Sequence, residues 1–369
     1  MNIIIFFIIL LVLVLIHEAG HFTMAKKFGI RVDEFGFGFP PKLFGIKKGE
    51  TEYTFNLLPI GGFVKIFGEN PDDENTNGPD ASRSFVNKPR WQQAIVLVAG
   101  VVANFLLAWL LFSFGFMSGL PTSVSAEMKD VKLSDVYLVV VSVLPESPAD
   151  IAGLKSGDKI VSLGHSHEKN DDHSLIEINP VTLKEFIQEH PGDEIDVGYI
   201  RGKNPEVKHA YVLVGEINKQ AAIGVSMDQI GIAKLPVLAS FWEGAKLTLF
   251  VTKSTATGLY GLVSEAFKGK GSLDGVTGPV GMVGIVGDAY KFGFVYLLSF
   301  AALISVNLGI INLLPFPALD GGRLFFLLIE KIKGSKMNPK VANTANMIGF
   351  SVLILLMIFI TYHDIVKLF

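Results

Sequence analysis

The sequence has no cysteine, which removes disulfides, thiolate metal ligands and cysteine nucleophiles at once. Any metal must therefore be held by His, Asp or Glu. Charge is also scarce. Only 18% of the 369 residues are charged and the net charge is −3, so nothing points to nucleic acid. Hydrophobic residues make up 50% of the chain and the mean hydropathy is +0.45, too apolar for an ordinary soluble globule. Neither Lys nor Arg precedes the apolar run 3–16, and no small-residue cleavage site follows it, so the run does not read as a secretory signal.

What is present is a set of long apolar runs. Residues 3–25 predict one uncleaved spanning helix, since about 20 residues at 1.5 Å rise cross the hydrocarbon. Residues 94–120, 292–314 and 347–362 predict three more. A fifth run, 241–267, carries Glu243, Lys246, Lys253 and Glu265, which suits a helix at the interface or packed on the bundle better than a span. Basic residues set the orientation. Lys26, Lys27, Arg31, Lys88 and Arg90 flank the first loop, and Arg323, Lys331, Lys333, Lys336 and Lys340 follow the third span. Both loops are thus expected on the cytoplasmic side, with the middle segment and both termini outside.

The first loop has two parts. Residues 33–67 alternate aromatic and β-branched residues with Gly and Pro and predict short strands joined by turns, whereas 69–82 reads as an acidic, mobile linker. The middle segment, 137–226, predicts a separate soluble domain. Its run Ser147-Pro148-Ala149, then Gly153-Leu154, then Gly157-Asp158, with an expected β-α-β-β-α-β order, resembles a PDZ domain. That resemblance implies a site for a peptide added as a strand beside a helix, or a steric filter. His165, His167, Asp171, Asp172 and His173 lie in the loop 164–180 and read as a solvated polar insertion, with a second metal site as the alternative.

Two motifs carry chemistry. His17 and His21 stand four apart, so on a helix they share a face and both reach one metal. Glu18 lies roughly 100° further round, placed to contact a water on the metal. Ionisable groups at the end of an apolar run are costly unless paired or functional. The second motif, Asn312-Leu313-Leu314-Pro315-Phe316-Pro317-Ala318-Leu319-Asp320-Gly321-Gly322, ends the third span with two helix-breaking prolines. Asp320 alone reads as a helix N-cap; beside two histidines it reads as the third ligand of a catalytic Zn2+ site with one open position.

With both motifs in view, the chain resembles the site-2 protease family of intramembrane zinc metalloproteases, and its single PDZ-like domain makes it similar to the bacterial regulator-of-sigma-E type. The resemblance implies zinc ligation by His17, His21 and Asp320, with Glu18 as the catalytic carboxylate. It also implies that Asn312 holds substrate backbone or the oxyanion. Asn104, in Ala99-Gly100-Val101-Val102-Ala103-Asn104, is similar to a family motif that usually has Pro after the Gly; here Val101 stands there. Asn104 is expected either to contact substrate or to make an interhelical hydrogen bond. Gly278-Pro279 reads as a turn. Implied substrates are single-span membrane proteins already trimmed by another protease, such as anti-sigma factors, and remnant signal peptides. The rival readings are a metal transporter and a non-proteolytic membrane PDZ scaffold.

The expected class is therefore a polytopic α-helical membrane protein with four spanning helices, a membrane-associated β-hairpin or sheet region and one extracytoplasmic PDZ-like α+β domain. The expected segments are 1–32 (first span), 33–90 (β region and linker), 91–120 (second span), 121–136 (linker) and 137–226 (PDZ-like). They continue with 227–290 (interfacial helix and connector), 291–322 (third span) and 323–369 (connector and fourth span). Its setting is the inner membrane, with the active site towards the cytoplasm.

Overall fold

The computed structural model describes residues 2–70, 73–124, 132–165, 178–202, 205–217, 220–269 and 276–366. In chain order, α1 (Asn2–Lys27) leads into β1 (Val32–Lys48), β2 (Thr51–Ile66), the short α2 (Asp73–Asn77) and α3 (Arg90–Ser118). Next come β3 (Leu120–Ser123), β4 (Ser134–Val143), α4 (Pro148–Ile151), β5 (Lys159–His165) and α5 (Pro180–Glu189). They are followed by β6 (Glu194–Ile200), β7 (Lys208–Leu213), β8 (Gly215–Ile217), β9 (Gln220–Ala222) and β10 (Val225–Ala233). Five helices close the chain: α6 (Val237–Phe267), α7 (Pro279–Phe292), α8 (Phe294–Leu313), α9 (Asp320–Lys333) and α10 (Pro339–Val366). Two compact units result. One comprises Met1–Phe114, Val237–Tyr290 and Leu297–Phe369; the other comprises Gly115–Pro236 and Lys291–Tyr296.

In the first unit, α1, α3, α8 and α10 are the helices among the described residues that are long and apolar enough to cross a membrane. They coincide with the four expected spans. Small residues decide how α1 meets α3. A Cβ on Gly20 would stand 2.7 Å from the Ala99 carbonyl carbon and 2.9 Å from Gly100 Cα, so the two backbones touch there. Ala108 and Phe112 of α3 pack on Ala302, Val306 and Ile310 of α8, with Leu247 and Val251 of α6 beside them. The α6 helix is fixed further by Trp109 Nε1, which donates to Phe241 O at 2.8 Å. This matches the expectation of a helix packed on the bundle.

The β region departs from a string of short strands. It consists of two long strands, each folded at its middle near Pro40-Pro41 and Pro59. Phe35 lies between Val64 and Tyr53, Gly36 between Phe63 and Thr54, and Phe37 between Gly62 and Phe55. Residues 42–48 return along 51–56 about the turn at Gly49-Glu50. The segment order is therefore 42–48, 51–56, 32–37, 62–66. Residues 62–66 form an edge. Phe44, Phe55 and Phe37 stack in a row at 4.6 Å between neighbouring centroids. Phe39, Leu43, Phe44 and Ile46 are exposed, leaving an apolar face without a protein partner among the described residues.

The segment read as a mobile linker is tied down where it is described. Asp80 accepts from Arg31 Nη1 at 2.6 Å, Glu69 pairs with Arg323, and α2 occupies Asp73–Asn77. Glu50 accepts from Lys26 at 2.5 Å and from Arg83 at 2.6 Å, and these bonds, the Lys26 one foremost, hold its carboxyl below its ordinary range. Gly278-Pro279 begins α7 and is not just a turn. Asp364 of α10 is buried and accepts from Gly278 N at 3.0 Å and Gly281 N at 2.9 Å, so the last helix caps this one.

The second unit is built on a six-stranded sheet in the order β3-β10-β4-β5-β6-β7. Its core includes Leu138, Val140, Leu154, Leu183, Ile195, Val197 and Val212. Among the described residues, which omit 166–177 between β5 and α5, the succession from β4 is β-α-β-α-β-β. The Gly157-Asp158 signature has a structural cause. Asp158 is fully buried and held by Arg201, Nε to Oδ1 at 2.6 Å and Nη2 to Oδ2 at 2.7 Å. Gly153 and Gly157 take φ of +82° and +90°, which favours glycine. Of the polar cluster in 164–180, His165 ends β5, while His167, Asp171, Asp172 and His173 lie outside the described residues.

Candidate metal centre

Within the helical unit, residues separated by about three hundred positions meet. His17 Nε2 lies 3.0 Å from Asp320 Oδ2, His21 Nε2 lies 3.2 Å from the same oxygen, and the two Nε2 atoms are 3.0 Å apart. Both imidazoles are buried, and their planes stand at 80° to one another. Tetrahedral zinc, with bonds of about 2.0–2.1 Å, spaces its ligand atoms roughly 3.3 Å apart. Two ring nitrogens and a carboxylate oxygen so arranged fit one zinc ion. This is also the one such donor group found among the described residues with atoms within 4.8 Å of one another.

The turn that delivers Asp320 is strained and braced. Ala318 sits at φ +76°, in the left-handed region, at a cost on the order of 1–2 kcal/mol. Its N–H donates to Asn346 Oδ1 of α10 at 3.2 Å. A Cβ on Gly322 would lie 2.6 Å from the Phe316 carbonyl carbon, and one on Gly349 would lie 2.7 Å from Pro317 Cβ. Glycine at both places lets α9 and α10 close on the turn. Asp320 is the first residue of α9 and Leu319 is its N-cap, with no side-chain cap bond. The Asp320 carboxylate points at the histidines instead, so the N-cap reading is set aside.

A cavity of about 310 Å³ opens beside the three donors, lined by Glu18, Phe63, Val64, Asn312 and Arg323 among others. Glu18 is half-buried and lines this cavity together with His21, Val64 and Asp320. Asn312 Nδ2 lies 3.5 Å from His17 Nε2. Asn104 is placed differently. It is fully buried, is not among the cavity-lining residues, and puts its Nδ2 position 3.2 Å from His17 Nδ1.

Sequence reasoning missed three contributors. Val96 O lies 2.8 Å from His21 Nδ1 and accepts its proton, leaving Nε2 to face the other donors. Gly100 makes room for both rings: a Cβ there would stand 2.7 Å from His21 Cε1 and 2.8 Å from His17 Cε1. Asn346 braces the turn. A glycine and an asparagine within apolar helices carry no local signal of these contacts.

Comparison with known proteins agrees with this geometry. The model of peptidase family M50 matches residues 5–356. The chain belongs to peptidase family M50. The regulator of sigma-W protease RasP of Bacillus subtilis is 32% identical to this M50 member over 445 aligned positions, covering 100% of this chain and 99% of RasP. The zinc metalloprotease RasP of Geobacillus kaustophilus is 30% identical, covering 100% and 98%. A Clostridium perfringens protein provisionally named a zinc metalloprotease is 37% identical, covering 96% and 95%.

Proposed function

We propose that this M50 member is an intramembrane zinc metalloprotease that hydrolyses peptide bonds within the spanning segments of single-span membrane proteins. His17, His21 and Asp320 are its zinc ligands and Glu18 its general base. The observation that carries this is the meeting of both Nε2 atoms and Asp320 Oδ2 within 3.0–3.2 Å, inside the apolar helix α1 and at the start of α9. Bound zinc supplies a Lewis acid and lowers the pKa of water towards ~7. Glu18 takes the proton from the attacking water and returns it to the leaving amide nitrogen. Asn312 turns its amide towards the developing oxyanion.

A helical substrate hides its carbonyls in hydrogen bonds and must be locally unwound. The edge segment 62–66 contributes Phe63, Val64 and Ile66 to the cavity wall, and it is suited to hold an extended segment as an added strand. The exposed aromatic face of the same sheet suits contact with lipid.

The second unit is read as the PDZ-like domain. A groove of about 680 Å³ runs between α5 and the start of β10, lined by Leu144, Lys184, Ile187, Ile223, Val225 and Met227. Such a groove suits a peptide added as a strand beside a helix, or a filter on substrate size. The lysine and arginine distribution supports placing this unit outside and the zinc site towards the cytoplasm. The name of the Bacillus relative, a regulator of sigma-W protease, supports anti-sigma factors as substrates.

The test compares wild type with Glu18→Gln on a tagged single-span substrate in membranes, with zinc measured on both proteins. The expected result is an activity loss of roughly 10²–10⁴-fold with zinc retained. Equal cleavage by both proteins overturns the mechanism.

A further inference from the structure

The two histidines are supported by the same helix in different ways. His21 sits over Gly100, and the missing side chain leaves Val96 O open to its Nδ1 at 2.8 Å. Among the described residues no backbone carbonyl serves His17 in that role; its Nδ1 faces the amide of Asn104 at 3.2 Å. Asn104 is fully buried, and its other amide terminus meets no partner. A buried amide with one end unpartnered costs about 1–3 kcal/mol, so a packing role is a poor reason to keep it there. The hydrogen bond between α3 and α8 does not explain it either. That bond runs from Ser305 Oγ to the Asn104 backbone carbonyl at 2.8 Å, and any residue would provide it.

We propose that Asn104 is a positioning residue that accepts the His17 Nδ1 proton through its amide oxygen and so fixes the tautomer with the Nε2 lone pair facing Asp320 and His21. This rests on the reading of His17 as a zinc ligand. The oxygen and nitrogen of an amide are nearly equal in size, so the terminus 3.2 Å from Nδ1 accommodates either. Chemistry selects the oxygen. A histidine that gives Nε2 to a metal carries its proton on Nδ1, and that proton needs an acceptor. With the NH2 group in that place, Nδ1 would be the acceptor and Nε2 would carry the proton, closing the ring to a metal. α3 thus supplies both supports, a carbonyl at Val96 and an amide two helical turns on at Asn104.

The test measures zinc affinity of the purified full chain by chelator competition, with thermal unfolding as a check on folding. The variants are Asn104→Leu, Asn104→Asp and His17→Ala. Leucine keeps the branched skeleton and removes the acceptor, and the expected result is a 10–100-fold loss of zinc affinity. Aspartate can accept but cannot donate, so zinc affinity is expected to stay within about threefold of wild type or to rise. Wild-type zinc affinity in Asn104→Leu overturns the inference, and so does a loss in Asn104→Asp of tenfold or more. If the leucine variant does not fold, the aspartate variant alone decides between accepting and donating. Failure of the underlying reading is distinct: wild type would then hold no zinc, or His17→Ala would hold it as well as wild type.

Discussion

The residue that most constrains the site is one without a side chain. Gly100 lies under both imidazoles, and a single added methyl would press on His21 and His17. Gly100→Ala is therefore expected to lower zinc affinity at least tenfold while the helices still form, since alanine is the better helix former. Chelator competition and circular dichroism on the same sample check the two halves. The residues that meet in the three-donor group were legible. His17 and His21 stand at a spacing that only a helix turns into a common face, with Glu18 about 100° further round, and Asp320 follows a proline-broken turn. Gly20, Gly100 and Asn346 were not, because each matters only through a neighbour far away in sequence. Asn104 was singled out, yet which atom of it would bond to α8 and which would face His17 could not be read from one dimension.

At the scale of elements, the folded-back sheet is the least anticipated feature. Alternation of aromatic residues with Gly and Pro announced strands, but the bend in each strand and the pairing of 32–37 on both sides are tertiary choices. One end of that sheet is moored by Glu50 to Lys26 and Arg83. Because the carboxyl is held below its ordinary value of 4.5, the mooring is fully present above that pH and is lost as pH falls through the depressed folded value. Protection from hydrogen exchange in the turn about Gly49, taken relative to the intrinsic rate at each pH, is expected to fall on acidification below about pH 4.5. Glu50→Gln should show the lower protection at neutral pH already, with little further change. A turn whose protection in wild type is flat across that range would sink this account. The α10 helix was legible as a span, whereas its cap on α7 through Asp364 was not, since a lone acid near a helix end has many ordinary uses.

Across the molecule, two compact units divide the work proposed for them. Arg201 holds the fully buried Asp158 in the second unit, and removing one partner of such a pair strands a charge. Arg201→Met is expected to destabilise that unit by about 3 kcal/mol, visible as lost hydrogen-exchange protection in β5 and β6. Zinc content and cleavage of a pre-trimmed substrate should persist, while discrimination against an untrimmed one should fall. Loss of zinc in this variant would contradict the separation. The division itself was visible in the sequence as a polar stretch between apolar runs, and the strand count was not, because β3 joins the sheet from before the expected start at 137 and most of β10 from beyond the expected end at 226.

The third donor stands 303 positions after the first. Synthesis therefore completes α1 and α3 long before the residue that closes the three-donor group. Until that late turn is made and docked, part of the cavity wall and the third donor are both missing, so under the proposed function a nascent copy is expected to be inactive.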